Sequence, residues 1–308
     1  MKPGLSKILK TILVAALCAS LALTALAGCR KPAAVTDPAA EATVSPADAQ
    51  ESAAEVPVKL WINTRWLADT GLPMPATVEE LENVLLQFKG DMNGNGLYDE
   101  IPMTAAYQGG GLSTLGPIIS AFCPTGFDLS NDFGYLSVDS TGKVYTEVTG
   151  QNFQAALKYL KRLVDEGVLD PNLFTNTRQE LLAGSASAEV YGVIPAPDLG
   201  ALWNDTDRAA AYEPIPALTS AVYERADSTP YPQLVFSQAD TARLTQNGSD
   251  ARAEVMSYLV SSCQAFVTGE MNLDADWNTY INTLYDKGLG NILSAAQNAL
   301  DAYQAANG

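Results

Sequence analysis

The chain has 308 residues, with 35 acidic against 18 basic side chains, a formal net charge of −17 and no histidine. That balance excludes nucleic acid as a partner, because phosphate binding needs clustered Lys and Arg. Without histidine the commonest general base and most zinc and copper sites are gone, so an enzyme would be left with carboxylate chemistry alone.

The chain opens on a targeting segment. Lys2, Lys7 and Lys10 precede an apolar run from Ile12 to Leu26, broken only by Ser20 and Thr24, and no acid appears before Asp37. A basic start followed by a short apolar run is a secretory signal, too short to read as a spanning helix. The run ends in Leu26-Ala27-Gly28-Cys29, which resembles the lipobox of bacterial lipoproteins. Two small residues admit the backbone to a peptidase, and the cysteine after them supplies the thiol for lipid transfer. Residues 1–28 are therefore expected to be a lipoprotein signal peptide. Cys29 is expected to anchor the chain by a lipid to the extracytoplasmic face of the cell membrane. Removing 1–28 takes three lysines and no acid, so the remainder carries −20.

Residues 29–57 are rich in Ala, Pro, Glu, Ser and Thr and nearly free of large apolar side chains. Such a segment cannot bury enough surface to offset its ordering entropy, so a disordered tether is expected. Residues 58–308 remain for a folded part able to bury a sizeable core. Cys18 leaves with the signal, and Cys123 and Cys263 are left as either a disulfide or two buried thiols.

The first helix begins at Thr77, an N-cap followed three residues later by Glu80, a capping box. Val78, Leu81, Val84, Leu85 and Phe88 then recur on one helical face. A second helix covers 151–166, with Phe153, Leu157, Leu160 and Val164 inward and Gly167 as its stop. Val190 to Ile194 is apolar and β-branched and reads as a buried strand ended by Pro195, with Leu234-Val235-Phe236 a weaker second strand. Helices are expected over 250–268, 274–287 and 290–306, with Gly269 and Gly288 as caps. The pattern is α/β or α+β with helices in the majority.

One segment carries sharp chemistry. Asp91-Met92-Asn93-Gly94-Asn95-Gly96-Leu97-Tyr98-Asp99-Glu100 places side-chain oxygens at positions 1, 3, 5, 9 and 10, with glycine at 6. Its first half matches the calcium loop of EF-hands, in which position 7 gives a backbone carbonyl, here that of Leu97. The twelfth position holds no glutamate, and adjacent Asp99 and Glu100 are placed to close the site instead. Hard oxygen ligands without His or Cys favour Ca2+ over a transition metal. The plain alternative is a solvated Asn-Gly turn.

Met74-Pro75-Ala76-Thr77-Val78-Glu79-Glu80-Leu81, the 91–100 loop and Ile101-Pro102 stand in the order found in the extracellular solute-binding proteins (family 1) of carbohydrate ABC importers. Gly142-Lys143-Val144, Phe153 to Gly167, Leu169-Asp170-Pro171, Phe266 to Glu270, Trp277 and Tyr280 to Gly288 continue the likeness. The chain resembles the LipO-type lipoproteins and the alginate-oligosaccharide-binding proteins of that family. The resemblance implies an α/β, periplasmic-binding-protein-like (type II) two-lobe fold, helix-rich and apparently shortened, with part of the first lobe missing before Trp61. It also implies a structural calcium held by the side chains of Asp91, Asn93, Asn95, Asp99 and Glu100 and by the Leu97 carbonyl. The partners implied are an ABC-importer permease and an oligosaccharide ligand.

Sugar sites stack aromatic faces on pyranose rings and bond hydroxyls with polar side chains. Tyr191, Trp203, Trp61 and Trp66 are the aromatic candidates, with Asp198 and Asn204 beside them. For each of them the competing role is packing in the core. Two functions stay open: an oligosaccharide-binding lipoprotein serving an importer, or a degenerate paralogue that has lost its sugar and acts as a calcium-stabilised surface lipoprotein. An enzyme is not expected, because no paired carboxylates stand out beyond those assigned to the loop.

Overall fold

The computed structural model describes residues 58–105, 115–123, 133–184, 189–199, 206–220, 228–232, 234–246 and 249–307. The expected signal peptide, Cys29, the expected tether, Trp203 and Asn204 lie outside the described residues. By its contacts the chain separates into Met1–Ser52 and Ala53–Gly308, and every described residue belongs to the second part.

Along the chain come β1 (Lys59–Asn63), α1 (Thr64–Thr70), α2 (Val78–Gln87), β2 (Ile101–Met103), α3 (Gly116–Phe122), β3 (Leu136–Asp139), β4 (Val144–Thr146), α4 (Gln151–Asp165) and α5 (Arg178–Gly184). Then follow β5 (Tyr191–Ala196), α6 (Thr206–Ala209), β6 (Tyr212–Pro214), α7 (Pro216–Ser220), β7 (Ser228–Pro230), α8 (Gln238–Leu244), β8 (Thr245–Gln246) and β9 (Ser249–Asp250). Three helices close the chain: α9 (Ala251–Thr268), α10 (Trp277–Asp286) and α11 (Leu289–Asn307).

The strands form a four-stranded sheet in the order β2-β5-β1-β6, a three-stranded sheet β4-β3-β7 and a short β8-β9 ribbon. β5 runs parallel to β2 and antiparallel to β1. All six residues of β5 are buried, as expected of a strand covered on both faces. Pro195 does not end it. The carbonyl of its partner Leu60 turns to the other side and accepts from Ile215 N at 2.7 Å, so β1 asks no N–H of Pro195. On the far side, the ladder with β2 stops at Met103 and Val193, before Pro195 is reached. Leu234-Val235-Phe236 is not a strand, and Val235 is 90% exposed. Its place in the second sheet is taken by β7, which pairs with β3.

The helices follow from their apolar faces. Thr77 caps α2 by accepting from Glu80 N at 3.1 Å, while the Glu80 carboxylate reaches Ala76 N at 2.7 Å, one residue before the reciprocal partner of a capping box. α4 buries Phe153, Ala156, Leu157, Tyr159, Leu160 and Leu163, and leaves Val164 half-buried. Its stripe is centred one residue from the expected one because Tyr159 turns inward and donates its hydroxyl to Val78 O at 2.6 Å, tying α4 to α2. α10 starts at Trp277 rather than 274. Asn272 Oδ1 takes the amides of Asp274 and Ala275, both at 2.9 Å, and holds the preceding segment as a turn. Gly269 ends α9 at φ 84°, a left-handed cap.

α3, α4, α9, α10 and α11 share one core with Leu60 and Ile62 of β1. Its aromatic centre sets Phe266 edge-on to Tyr280 at 5.5 Å, with Trp277 5.0 Å from Tyr280. Each such side chain, fully buried, contributes roughly 1.5–3 kcal/mol relative to exposure. Cys123 and Cys263 are buried thiols rather than a disulfide pair. A second, smaller cluster of Leu181, Tyr191, Ile194, Ala196, Leu199, Ala211 and Tyr212 covers the other face of the four-stranded sheet. Among the described residues no helix is long and apolar enough to cross a membrane.

Candidate functional site

The loop from Asp91 to Glu100 joins α2 to β2 and folds on its own side chains. Gly94 at φ 69° and Gly96 at φ 81° supply the left-handed turns that a Cβ would strain. Asp91 Oδ1 accepts from Asn95 N at 3.1 Å and its Oδ2 from Gly96 N at 2.9 Å. Asn93 Oδ1 also accepts from Asn95 N, at 3.0 Å, and Asn95 Oδ1 accepts from Leu97 N at 2.7 Å. Asp99 closes the ring by accepting from Asn95 Nδ2 at 3.2 and 3.3 Å.

Glu100 holds the two limbs together. Its Oε1 accepts from Met92 N at 2.8 Å and Asn93 N at 3.1 Å, while Oε2 is buried with no hydrogen-bond partner. A buried carboxylate oxygen left without a donor is costly, and it marks a place that an ion or a water would satisfy. The side chains of Asp91, Asn93, Asn95, Asp99 and Glu100 are thus brought into one loop with hard oxygen donors, a set that fits calcium. Among the described residues no three or more His, Cys, Asp and Glu converge closely enough to hold a metal by themselves. In this loop two of the five side chains are asparagines, so the carboxylates alone do not make up the donor set.

The sugar candidates are dispersed. Trp66 is 1% exposed and sits edge-on to Phe88 at 5.4 Å. Tyr191 lies inside β5, where burial and nearby Asp170 push its phenol above the ordinary range. Both serve the core. Trp61 is half-buried, donates Nε1 to Ala196 O at 2.9 Å and has Lys59 Nζ 5.6 Å from its ring centre. Of the three described aromatics it alone is not buried. Asp198 is exposed.

Three residues at the loop's flank were not legible as site residues. Glu189 accepts Asn93 Nδ2 on its carbonyl at 3.2 Å, and its carboxylate meets Asn63 and Arg65. Glu189 lies 96 residues from Asn93 and 126 and 124 from Asn63 and Arg65, so no local pattern could join it to either side.

No protein-family model matches the chain. Over 172 residues it is 31% identical to the fructooligosaccharide ABC transporter substrate-binding protein FusA of Streptococcus pneumoniae, covering 56% of this chain and 30% of FusA. Over 111 residues it is 31% identical to lipoprotein LipO of Bacillus subtilis, covering 35% of this chain and 20% of LipO. The matched stretches therefore span less than a third of either relative. In structure, FusA in complex with kestose matches at TM-score 0.65 and 19% identity, over 82% of this chain and 73% of that one. The fold is that of the type II solute-binding proteins. An EF-hand mutant of FusA in complex with fructo-nystose matches at TM-score 0.64 and 18% identity, over 82% and 73%. A human-milk-oligosaccharide-binding solute-binding protein from Bifidobacterium longum infantis follows at TM-score 0.63 and 17% identity, over 80% and 74%. The two relatives in sequence are thus a substrate-binding protein of a sugar ABC transporter and a lipoprotein.

Proposed function

We propose that this chain is a lipid-anchored extracellular solute-binding protein that delivers an oligosaccharide to the permease of an ABC importer. The observation that carries the reading is the match of 82% of the chain to FusA with kestose bound, alongside 31% identity to the same protein over 172 residues. Proteins of this fold capture a ligand between lobes that close over it and bury most of its surface. Trp61, half-buried in the middle of β1 between β5 and β6, is the described aromatic candidate left to stack on a sugar ring. The degenerate reading, a surface lipoprotein without sugar, has no comparison in its favour.

Calcium belongs to the same proposal as a structural ion. Asp91, Asn93, Asn95, Asp99 and Glu100 would hold it by side chain and Leu97 by carbonyl. When bound, the ion supplies a positive centre that relieves repulsion among the three carboxylates. The buried, unpartnered Oε2 of Glu100 is the oxygen that would close the site on the ion. Cys29 is proposed as the lipid anchor on the extracytoplasmic face, on the strength of the signal-like segment before it.

Thermal melting against a panel of neutral and acidic oligosaccharides tests the reading. A ligand at 100 times its Kd stabilises by about 2.7 kcal/mol, so a binding sugar raises the midpoint measurably. A panel that leaves the midpoint in place would overturn it.

A further inference from the structure

Two consecutive carbonyls of the segment entering β5 hold the two limbs of the loop. Val190 O accepts from Ile101 N at 2.7 Å, and Glu189 O accepts from Asn93 Nδ2 at 3.2 Å. Asn93 Nδ2 is shared between Glu189 O and, at the longer distance of 3.4 Å, Asp99 Oδ1. With Nδ2 held by these two acceptors, the shorter of them Glu189 O, Oδ1 is left to accept from Asn95 N. An amide oxygen ligates a cation and an amide nitrogen does not, so this orientation is a condition for Asn93 to serve as a ligand.

Glu189 is fixed from its other end. Its carboxylate accepts from Asn63 Nδ2 at 3.3 Å and pairs with Arg65 Nη1 at 2.5 Å. Asn63 is fully buried, is the last residue of β1, and caps α1 by accepting from Arg65 N at 3.0 Å and Trp66 N at 3.2 Å. An unbroken chain of bonds therefore runs from the loop interior through Asn93 and Glu189 to the junction of β1 and α1.

We propose that Glu189 is a positioning residue that couples calcium binding in the loop to the ordering of the β1–α1 junction. The inference rests on the calcium reading of the loop. By reciprocity, an ion that favours this orientation of Asn93 also favours the capped start of α1, and the reverse. Partners in a ligand's outer shell typically contribute 10–100-fold to metal affinity. The Glu189 side chain acts one step further out, through its own backbone, so its removal is expected to weaken calcium binding about fivefold.

The test titrates calcium alone into the full chain, stripped with chelator, as wild type, Glu189→Gln and Arg65→Met. The Arg65 side chain is 61% exposed, so its replacement leaves the core intact. Simple electrostatics and coupling give opposite signs here. Losing the Glu189 charge weakens a nearby cation on either account. Losing the Arg65 charge tightens it if only charge matters, and weakens it if the strut matters. Coupling predicts about fivefold weaker binding in both variants, and calcium-dependent hydrogen-exchange protection of the Arg65 and Trp66 amides in the wild type only. Tighter or unchanged binding in Arg65→Met overturns the proposal, as does a calcium-bound wild type whose two amides are no better protected. If Glu189→Gln does not fold, the sign of the Arg65→Met change and the wild-type exchange data decide. A wild type that binds no calcium fails at the first titration, and the calcium reading falls with it.

Discussion

The backbone amide of Asn93 donates to Glu100 Oε1 at 3.1 Å, fastening the closing carboxylate to the opposite limb of the loop. Met92 shares the same oxygen at 2.8 Å. With Oε1 engaged twice, Oε2 is left buried and unbonded. Burying such a group without a partner costs about 1–3 kcal/mol, and more for a charge, which a cation at this point would offset.

Calcium is accordingly expected to stabilise the fold. At free calcium 100 times the Kd the gain is about 2.7 kcal/mol, which for a domain of this size is roughly 5–10 °C in midpoint. Chelator removes the gain in the wild type. Glu100→Gln and Asp91→Ala should melt at the same temperature with calcium or chelator. A wild-type curve unmoved by chelator would leave the loop as a turn and nothing more.

Gly192→Ala should destabilise the four-stranded sheet. A Cβ there would stand 2.4 Å from Phe88 Cδ2 and 2.6 Å from the Pro102 carbonyl oxygen. The second contact is backbone, so the strain cannot be relieved by a rotamer change alone. Overpacking of this kind costs about 1–3 kcal/mol. Urea unfolding reads it as a lower midpoint at unchanged slope, and an unmoved midpoint would show that β2 and β5 are looser than the register implies.

How far the sequence carried this fold depends on the range of each interaction. Thr77, Phe153 to Leu160, Gly167 and Gly269 act on neighbours within a turn or two, and each was legible. Pro195 was misread as a strand end because its tolerance depends on Leu60, far back in the chain, turning its carbonyl away. β1 and β7 had no clear local signature, and the order β2-β5-β1-β6 could not be read from either strand alone. The loop residues were legible because they lie within ten positions. The contacts of Glu189 were not, because they are with Asn93 and Asn63 and not with its own surroundings in sequence. Trp66 and Tyr191 illustrate the opposite failure, since an aromatic side chain reads the same in sequence whether it faces a sugar or a core.

Asp240 predicts an acid-sensitive contact between α8 and α11. Hydrogen bonds from Asn298 at 2.9 Å and Ser237 at 2.6 Å, with Arg243 nearby, hold its carboxyl below the usual carboxylate range. A group whose pKa falls on folding contributes stability above its unfolded pKa and loses it as the pH falls through the folded one. The contribution is therefore complete above about pH 4 and fades below it. Asp240→Asn should be less stable than wild type at pH 6, with the difference narrowing toward pH 3. A constant difference over that range would show that the carboxylate does not titrate with folding.

Cys29→Ala tests the anchor. Lipid transfer needs the thiol, so the variant should leave the membrane fraction and accumulate as precursor or released chain. A variant that still sediments with membranes to the wild-type extent would exclude lipidation at Cys29.

Calorimetric titration of oligosaccharides, kestose and acidic oligomers among them, into the calcium-loaded chain bears most directly on the proposed role. A solute-binding protein is expected to give saturable heat at unit stoichiometry with a Kd in the micromolar range or tighter for at least one of them. Flat titrations across the whole panel, from a chain that melts cooperatively and binds calcium, would contradict it.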